Sequence, residues 1–383
     1  MKRQAFRRDT GGRIDRTRVL RFTFNGKRLL GYAGDTLASA LLANGIILTG
    51  RSFRFHRPRG LFGAGAEEPN AFVSVGCGPR LEPNVRATLQ PLYDGLAARS
   101  QRGWPSPAFD VGRLLGWLSG FLPVGFYYKT FIWPSWRWYD GLIRRLAGTA
   151  PLPAGTDGDR YDRVHAHCDI LIVGAGPAGL AAAAQAARSG VRVILADDQD
   201  EPGGSLLSVG AREAGIAHDW AGQTIEALRA MPNVTVLDRT SVVAAWDHGY
   251  LTAVETDRNS QRYWKIRAGR ILLATGCIVF PHNDRPGIML AGAVRTYLNR
   301  YAVRPGNAAA ICTTNDSAWE TAFDLHASGT RVRAIVDMRE SVDDALAARA
   351  RALGIPVLLN HDIVATAGYR RLRAITVRDR ATG

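Results

Sequence analysis

The clearest pattern of apolar and polar positions in this chain lies in its second half. Residues 170–173 form an unbroken apolar run of the length expected for a buried parallel strand. A glycine-rich turn follows, and the alanine-rich stretch that ends near Ser189 predicts a helix, which Gly190 then stops. The apolar run at 191–196 predicts a second buried strand. Strand, turn, helix and strand in this order predict the start of a Rossmann-like α/β domain.

The rest of the second half continues this alternation of strands and helices. The next predicted elements are a helix at 216–231, strands at 234–236, 242–246, 250–255, 263–266 and 271–273, and a helix at 291–301. The strands between 242 and 266 predict a β-meander. A second strand–turn–helix unit at 308–328 has no glycine in its turn, Thr313-Thr-Asn-Asp-Ser-Ala318, so we expect a weakened or altered ligand site there. Beyond it we predict strands at 331–336 and 357–359, a helix at 343–353, and a hairpin of 364–369 with 374–378.

The first hundred residues have the shorter period of a small β-rich unit. Apolar residues alternate with polar ones from Leu20 to Phe24, and Asn25-Gly26 is a strong signal for a two-residue hairpin turn. The further predicted elements are a helix at 37–43, capped by Asp35 or Thr36, and short strands at 46–48 and 72–75. Hairpin, helix and short strands predict a small β-grasp domain of the ferredoxin type.

These patterns divide the chain into four predicted segments. Residues 1–16 form an arginine-rich arm that is flexible or bound to a partner. The β-grasp domain spans 17–96, and an aromatic connector with a Pro/Gly/Asp-rich linker spans 97–160. The dinucleotide-binding domain spans 161–383, and we expect it to be truncated at its C-terminus, because 383 falls just past a predicted strand.

The turn after the first buried strand carries the dinucleotide fingerprint G-x-G-x-x-G in its expected strand–turn–helix setting. Gly174 lets the chain turn, Gly176 lets the backbone approach a pyrophosphate, and Gly179 lets the helix pack close to the strand. The helix N-terminus then faces the phosphates with free N–H groups and a partial positive charge. The alternative is a generic glycine turn of an α/β protein.

Three further stretches support the fingerprint. An acidic pair follows the second strand at the spacing of a ribose-binding acid, a Glu201-Pro-Gly-Gly204 turn comes next, and the strand at 271–273 ends in Ala-Thr-Gly. A strand with this ending after a β-meander is typical of flavoproteins that bind two dinucleotides. The predicted cofactor-binding residues are Gly174, Ala175, Gly176, Pro177, Ala178, Gly179, Asp197, Asp198, Gly203, Gly204, Thr275 and Gly276.

Composition narrows the chemistry. The net charge is +15 and comes mostly from arginine, which favours anionic partners, but the arginines are spread along the chain and no nucleic-acid module is present. The four cysteines form no C-x-x-C pair, which argues against a redox disulfide, an iron–sulfur cluster or a zinc site, and fits a reducing cytoplasm. The basic N-terminus has no apolar core and is not a signal peptide. No pattern identifies catalytic or metal-binding residues.

Two stretches have more than one interpretation. The three arginines and one histidine of 52–61 form either an anion or cofactor contact or a solvated basic loop, and composition alone favours the loop. The aromatic block at 97–146 is a wrapped connector, a subunit interface or a membrane-surface patch. Its apolar run at 114–128 is shorter than the roughly 20 residues that span a bilayer, so we favour a connector with a subunit interface.

Several stretches together resemble the α subunit of heterotetrameric sarcosine oxidase, and more distantly the large subunits of opine and proline dehydrogenases and of hydrogen cyanide synthase. They are Ser52-Phe-Arg-Phe-His-Arg-Pro-Arg-Gly60, Glu67-Glu-Pro-Asn70, Trp104-Pro-Ser, Gly125-Phe-Tyr-Tyr-Lys-Thr-Phe131 with Trp133-Pro, the Gly174 fingerprint, Glu201-Pro-Gly-Gly204, Ala274-Thr-Gly276 and Asn283-Asp-Arg-Pro-Gly287. The resemblance covers essentially the whole chain. It implies a two-dinucleotide flavoprotein fold preceded by a ferredoxin-like β-grasp domain without a cluster.

The resemblance also implies a function. Such complexes oxidise sarcosine to glycine, formaldehyde and hydrogen peroxide, with β, γ and δ subunits as partners. The chemistry takes place at FAD in the β subunit, FMN lies at the interface with β, and the α subunit binds NAD, or else FAD, at the Gly174 fingerprint. A folate-binding domain that ends such α subunits has no counterpart in this sequence.

Other functions stay open at this point. The chain fits an opine- or proline-dehydrogenase-type subunit equally well, because the substrate pocket belongs to the partner. A basic nucleic-acid or anionic-membrane binder and a non-functional gene fragment are the remaining hypotheses.

Overall fold

The computed structural model describes residues 4–53, 55–116, 133–148, 152–156, 158–159, 161–210, 214–256, 260–273 and 285–382. The chain forms two compact units. The first consists of Met1–Gly155 with Val279–Gly383, and the second is Thr156–Ile278. The four-segment domain division stays a prediction.

The described residues form eighteen strands and seven helices. The strands are β1 (Asp15–Phe24), β2 (Lys27–Ala33), β3 (Gly50–Arg51), β4 (Pro58–Arg59), β5 (Phe72–Val75), β6 (Glu82–Arg86), β7 (Ala97–Ser100), β8 (Tyr161–Val173), β9 (Val193–Ala196), β10 (Val234–Leu237), β11 (Thr240–Trp246), β12 (Tyr250–Thr256), β13 (Gln261–Leu273), β14 (Ala308–Thr313), β15 (Arg331–Asp337), β16 (Val357–Leu359), β17 (His361–Gly368) and β18 (Leu372–Asp379). The helices are α1 (Leu37–Ala43), α2 (Trp136–Ala147), α3 (Pro177–Arg188), α4 (Ala214–Arg229), α5 (Ala291–Arg295), α6 (Ser317–Ala327) and α7 (Asp344–Ala352).

The second unit is built on one six-stranded sheet in the order β10-β9-β8-β13-β12-β11. The first four of these strands are parallel, and β11, β12 and β13 form the predicted antiparallel meander. Helix α3 connects β8 to β9, and its residues Leu180 and Ala183 pack with Leu195 and Leu228 in a buried cluster. This arrangement confirms the predicted Rossmann-like α/β fold.

Strands β8 and β13 are longer than their apolar runs indicate. They pair in parallel along their whole length, from Tyr161 beside Gln261 to Val173 beside Leu273. The two runs predicted at 263–266 and 271–273 are therefore one strand. The polar residues that precede 170 also belong to β8, because its partner is equally long.

The first part of the other unit is a five-stranded sheet in the order β2-β1-β7-β5-β6, with the buried helix α1 packed against it. The β1–β2 hairpin closes at Asn25-Gly26, where Phe24 pairs with Lys27, as predicted. Thr36 is the N-cap of α1: it accepts from the Ser39 N–H, and the Ser39 hydroxyl oxygen accepts from the Thr36 N–H.

The strand predicted at 46–48 is wrong. These apolar residues follow α1 without joining a sheet, and Ile46 and Ile47 pack against the buried cluster by their side chains alone. Their burial comes from this packing, which produces the same apolar run as a strand.

The remainder of this unit is a three-stranded parallel sheet, β14-β15-β16, followed by the β17–β18 hairpin. Its core is formed by Trp319 and Phe323 of α6 together with Ile335 of β15. The strand–turn–helix unit and the hairpin predicted from the sequence are thereby confirmed.

The N-terminal stretch packs onto the same unit. The Arg7 guanidinium donates to both carboxylate oxygens of Asp35, at 3.0 and 2.6 Å, and to the carbonyl oxygen of Tyr301. Ile14 lies in the buried cluster beneath the five-stranded sheet. The expectation of a flexible arm is therefore wrong for residues 4–14.

Much of the aromatic block, 117–132, lies outside the described residues, as do 149–151 of the linker. Around it, Trp104, Trp133 and Trp138 are exposed by 72%, 81% and 79%. No helix within the described ranges is both long and apolar enough to cross a bilayer.

Candidate functional site

The glycine turn between β8 and α3 is close-packed at two of its three glycines. Gly174 has φ +101°, which an L side chain rarely adopts, and its N–H donates to the Ala196 carbonyl oxygen at 2.8 Å. A Cβ on Gly179 would lie 1.8 Å from the Gly174 carbonyl oxygen. The turn therefore requires glycine at both positions to form at all.

Gly176 differs from its neighbours. It is the N-cap residue of α3, and a Cβ built on it meets nothing within 4 Å. The fold leaves this approach open, directly above the helix N-terminus, where the first N–H groups have no partner within the helix. Because these groups and the helix dipole favour an anion, the turn fits the pyrophosphate of a dinucleotide.

The Glu-Pro-Gly-Gly turn lies against the fingerprint. The Gly203 N–H donates to the Ala175 carbonyl oxygen at 2.8 Å, and a Cβ on Gly204 would lie 2.8 Å from the Gly176 Cα. The structure thus brings together two stretches that the sequence connected only by their glycines.

The acidic pair at the end of β9 also lies beside the turn. Asp197 is buried, and its carboxylate accepts from the N–H groups of Ala175, at 2.5 Å, and Gln199, at 2.9 Å. Asp198 is half-buried, and its carboxylate accepts from the Gln199 side-chain amide at 3.1 Å. Asp197 therefore fixes the shape of the glycine turn, a role that sequence spacing did not indicate.

The last two predicted cofactor residues, Thr275 and Gly276, lie outside the described residues. The strand that leads to them, β13, ends with Leu273 beside Val173, the residue before Gly174. The chain thus reaches the level of the glycine turn at its last described residue in this segment.

The second strand–turn–helix unit is closed by its own side chains. Asp337, at the end of β15, is fully buried and accepts from the Trp319 indole N–H at 2.9 Å and from the Arg339 guanidinium at 2.8 and 3.0 Å. Arg339 also pairs with Asp316 in the turn, at 2.8 Å. Burial alone would raise the pKa of Asp337, but the hydrogen bonds from Arg339 and Trp319 hold that pKa below its ordinary value. The sequence indicated an altered site but missed these three side chains.

A buried polar cluster forms where composition favoured a solvated basic loop. Arg51 and His56 are 1% and 3% exposed, and the His56 Nδ1 lies 2.7 Å from the Asp110 carboxylate. Burial alone would raise the pKa of Asp110, yet the hydrogen bond and charge of His56 hold it below its ordinary value. The solvated-loop interpretation is therefore wrong for these residues, whose partner Asp110 lies far along the chain.

The neighbouring acidic pair supports the backbone. The Glu68 carboxylate accepts from four N–H groups, those of Phe62, Gly63, Asn70 and Ala71. Burial raises the pKa of Glu68 even so. The glutamates thus fix the loop after β4.

None of the described cysteines is activated. Burial raises the pKa of the Cys168 thiol to about 11 and raises the pKa of Cys312, while Cys77 is exposed. Reactive cysteines have a lowered thiol pKa. Across the described ranges, no group of three or more His, Cys, Asp or Glu side chains is placed to hold a metal ion.

Comparisons with known proteins agree with this geometry. The chain is 50% identical over 97% of its length to the sarcosine oxidase α subunit of Rhizobium meliloti, and 40% identical over 92% to that of a Corynebacterium species. It covers only 39% and 34% of these relatives. One of the opine oxidase subunits of Agrobacterium tumefaciens is 27% identical over 45% of the chain and is covered to 37%. The predicted similarity to sarcosine oxidase α subunits is confirmed.

A solved structure shows the same fold. The L-proline dehydrogenase of P. horikoshii aligns with 97% of this chain and 58% of its own at a TM-score of 0.56 and 19% identity.

The match of the first domain raises the question of a cluster. Residues 17–103 match the family described as the 2Fe-2S iron-sulfur cluster binding domain. This range contains one cysteine, Cys77, and one histidine, His56, whereas a 2Fe–2S cluster needs four protein ligands. The residues present do not fit a cluster.

The second domain matches at the residues whose geometry fits a dinucleotide. The family model described as pyridine nucleotide-disulphide oxidoreductase aligns with residues 168–380, more than half of the chain. The match includes the glycine turn, the acidic pair and the meander. The chain belongs to the pyridine nucleotide-disulphide oxidoreductase family.

Proposed function

We propose that this chain is the dinucleotide-binding α-type subunit of an amine-oxidising complex of the sarcosine oxidase kind. The observation that carries the proposal is the open approach to Gly176 at the N-terminus of α3, in a turn that is otherwise close-packed. NAD is the dinucleotide that we assign to it, with FAD as the alternative. Bound there, such a cofactor supplies a ring that accepts a hydride.

Each residue of the turn has a defined part in this proposal. The α3 N–H groups hold the pyrophosphate above Gly176, and Asp197 keeps Ala175 in place through its carboxylate. Asp198, beside it, is the residue assigned to the ribose hydroxyls. Thr275 and Gly276 contact the cofactor where the chain returns after β13.

The chemistry is assigned to a partner subunit. The described residues around the turn are backbone groups and two aspartates, a set that binds and orients but offers no nucleophile. Relatives named as sarcosine oxidase subunits support sarcosine as substrate and glycine, formaldehyde and hydrogen peroxide as products. We include β, γ and δ-type partners and FMN at the interface with β in the same proposal.

A binding measurement tests the site. Isothermal titration of the purified chain with NAD and with FAD is expected to give one site for one of them. Gly176→Val fills the open approach and is expected to weaken binding by tenfold or more, roughly the effect of a misplaced pyrophosphate. Gly222→Val on α4, where a Cβ also meets nothing, is the matched control and should bind as the parent does. Equal affinity in both variants would place the cofactor elsewhere.

A second measurement tests the substrate. The chain is co-expressed with a β-type subunit, and hydrogen peroxide is followed with sarcosine, proline or an opine as substrate. Sarcosine is expected to give the highest rate, since identity to the sarcosine oxidase relative is 50% over 97% of the chain, against 27% over 45% for opine oxidase. A higher rate with an opine would reassign the complex.

A further inference from the structure

A large cavity opens in the unit formed by Met1–Gly155 and Val279–Gly383. Its volume is about 1030 Å³, the size of a pocket for a small organic molecule. Phe24 and the apolar residues 46–48 line one side, and residues 106–108 and the β17–β18 turn line the other. The residues 46–48 that failed to form a strand thus form an apolar wall of this cavity.

Positive charge lines the same cavity. Lys27, Arg370, Arg371 and Arg373 lie on it, all exposed, and its described lining contains no carboxylate. Within the described part of the chain, Lys27, Arg371 and Arg373 form no ion pair. Guanidinium groups match carboxylate and phosphate oxygens with paired donors, so the cavity combines an apolar wall with anion-binding groups.

The wall that carries the arginines is held in place before any ligand binds. The Arg370 guanidinium donates to the Ala108 carbonyl oxygen at 2.8 Å, and the Leu372 N–H donates to the Pro286 carbonyl oxygen at 2.8 Å. Gly368 starts the turn with φ +130°, and a Cβ there would lie 2.1 Å from the Arg371 carbonyl oxygen. A wall fixed in this way lowers the ordering cost of binding.

A buried cation behind the wall adds a second observation. Arg51 donates through Nε to the Pro107 carbonyl oxygen at 2.7 Å and through Nη1 to the Tyr369 hydroxyl at 3.2 Å, and both partners line the cavity. Its Nη2 is buried and has no hydrogen-bond partner among the described residues. Buried donors in folded proteins are almost always satisfied, so this one indicates a group that completes the site.

We propose that this cavity binds a small organic anion, a carboxylate or phosphate group on an apolar body. The apolar side takes the body of the ligand, and the arginines of the β17–β18 turn take its charge. The site is independent of the Gly174 turn and of the cofactor assigned there.

Fluorescence titration with 1-naphthyl phosphate, 1-naphthoate, 1-naphthol and inorganic phosphate tests the proposal. The two naphthyl anions are expected to bind about tenfold or more tightly than 1-naphthol or phosphate, because only they engage both sides of the cavity. The tighter of the two identifies the charged group.

Paired variants locate the site. Arg371→Gln with Arg373→Gln is expected to weaken the anions by about tenfold and leave 1-naphthol unchanged. Arg331→Gln with Arg333→Gln removes the same charge from exposed positions on β15 and should bind as the parent does. Equal losses in both double variants would reduce the effect to net charge and overturn the proposal.

Two further outcomes separate the alternatives. Gly176→Val should bind 1-naphthoate normally, so failure of the dinucleotide site and failure of this site are read independently. A hexaglutamate peptide that binds more tightly than either naphthyl anion would identify the cavity as a docking site for an acidic protein segment, and the small-anion proposal would be wrong.

Discussion

At the scale of single residues, Gly176 and Gly179 stand three positions apart in opposite surroundings. A Cβ meets nothing at Gly176 but would lie 1.8 Å from a backbone oxygen at Gly179. One glycine therefore serves the ligand and the other serves the fold.

Exchange of each for alanine separates the two roles. Gly179→Ala is expected to lower the free energy of unfolding by several kcal/mol, about 2 or more, because the backbone of the turn must move. Gly176→Ala should unfold within about 0.5 kcal/mol of the parent while weakening NAD binding. Urea denaturation and NAD titration of both variants measure this. Equal stabilities would show that the turn relaxes around the added methyl group.

Asp337 makes a pH-dependent contribution to stability. Its folded pKa lies below the ordinary value, so the stabilisation is present above the unfolded pKa of about 3.9 and is lost as pH falls through the folded pKa. The difference in unfolding free energy between the parent and Asp337→Asn should be about 1–3 kcal/mol at pH 6 to 7 and shrink below about pH 4. Urea titrations followed by tryptophan fluorescence test this, and a difference that stays constant down to pH 2 would contradict it.

At the scale of elements, local sequence sufficed where the signal is local. Asn25-Gly26 closes its hairpin and Thr36 caps α1, because turn and cap preferences depend on a few adjacent residues. The length of β8 and the burial of His56 were not predictable in this way. Each depends on a partner far along the chain, β13 in one case and Asp110 in the other.

The cap of α1 is open to a direct test. Thr36→Ala removes the acceptor for the Ser39 N–H, which lies 3.2 Å away, and should lower the unfolding free energy by about 1 kcal/mol. Thr36→Ser keeps the hydroxyl and is the matched control. Chemical denaturation measures both, and an alanine variant as stable as the serine variant would show that the cap does not stabilise this helix.

At the scale of the whole molecule, the proposed cofactor belongs to one of two compact units. NAD at about 100 times its Kd is expected to stabilise the unit Thr156–Ile278 by about 2.7 kcal/mol. Hydrogen exchange followed by mass spectrometry should show added protection in β8 and α3, with α6 and β15 of the other unit unchanged. Uniform protection of both units would mean that they unfold together.

The pairing of β8 with β13 has a mechanical consequence. The chain enters the unit Thr156–Ile278 just before β8 and leaves it just after β13, and these parallel neighbours, each of 13 residues, pair from Tyr161–Gln261 to Val173–Leu273. Entry and exit therefore lie at opposite ends of the ladder, about 40 Å apart at the usual rise per residue. Tension along the chain would load all hydrogen bonds of this ladder in shear at once, so the unit bearing the glycine turn should resist pulling far better than a hairpin that unzips bond by bond.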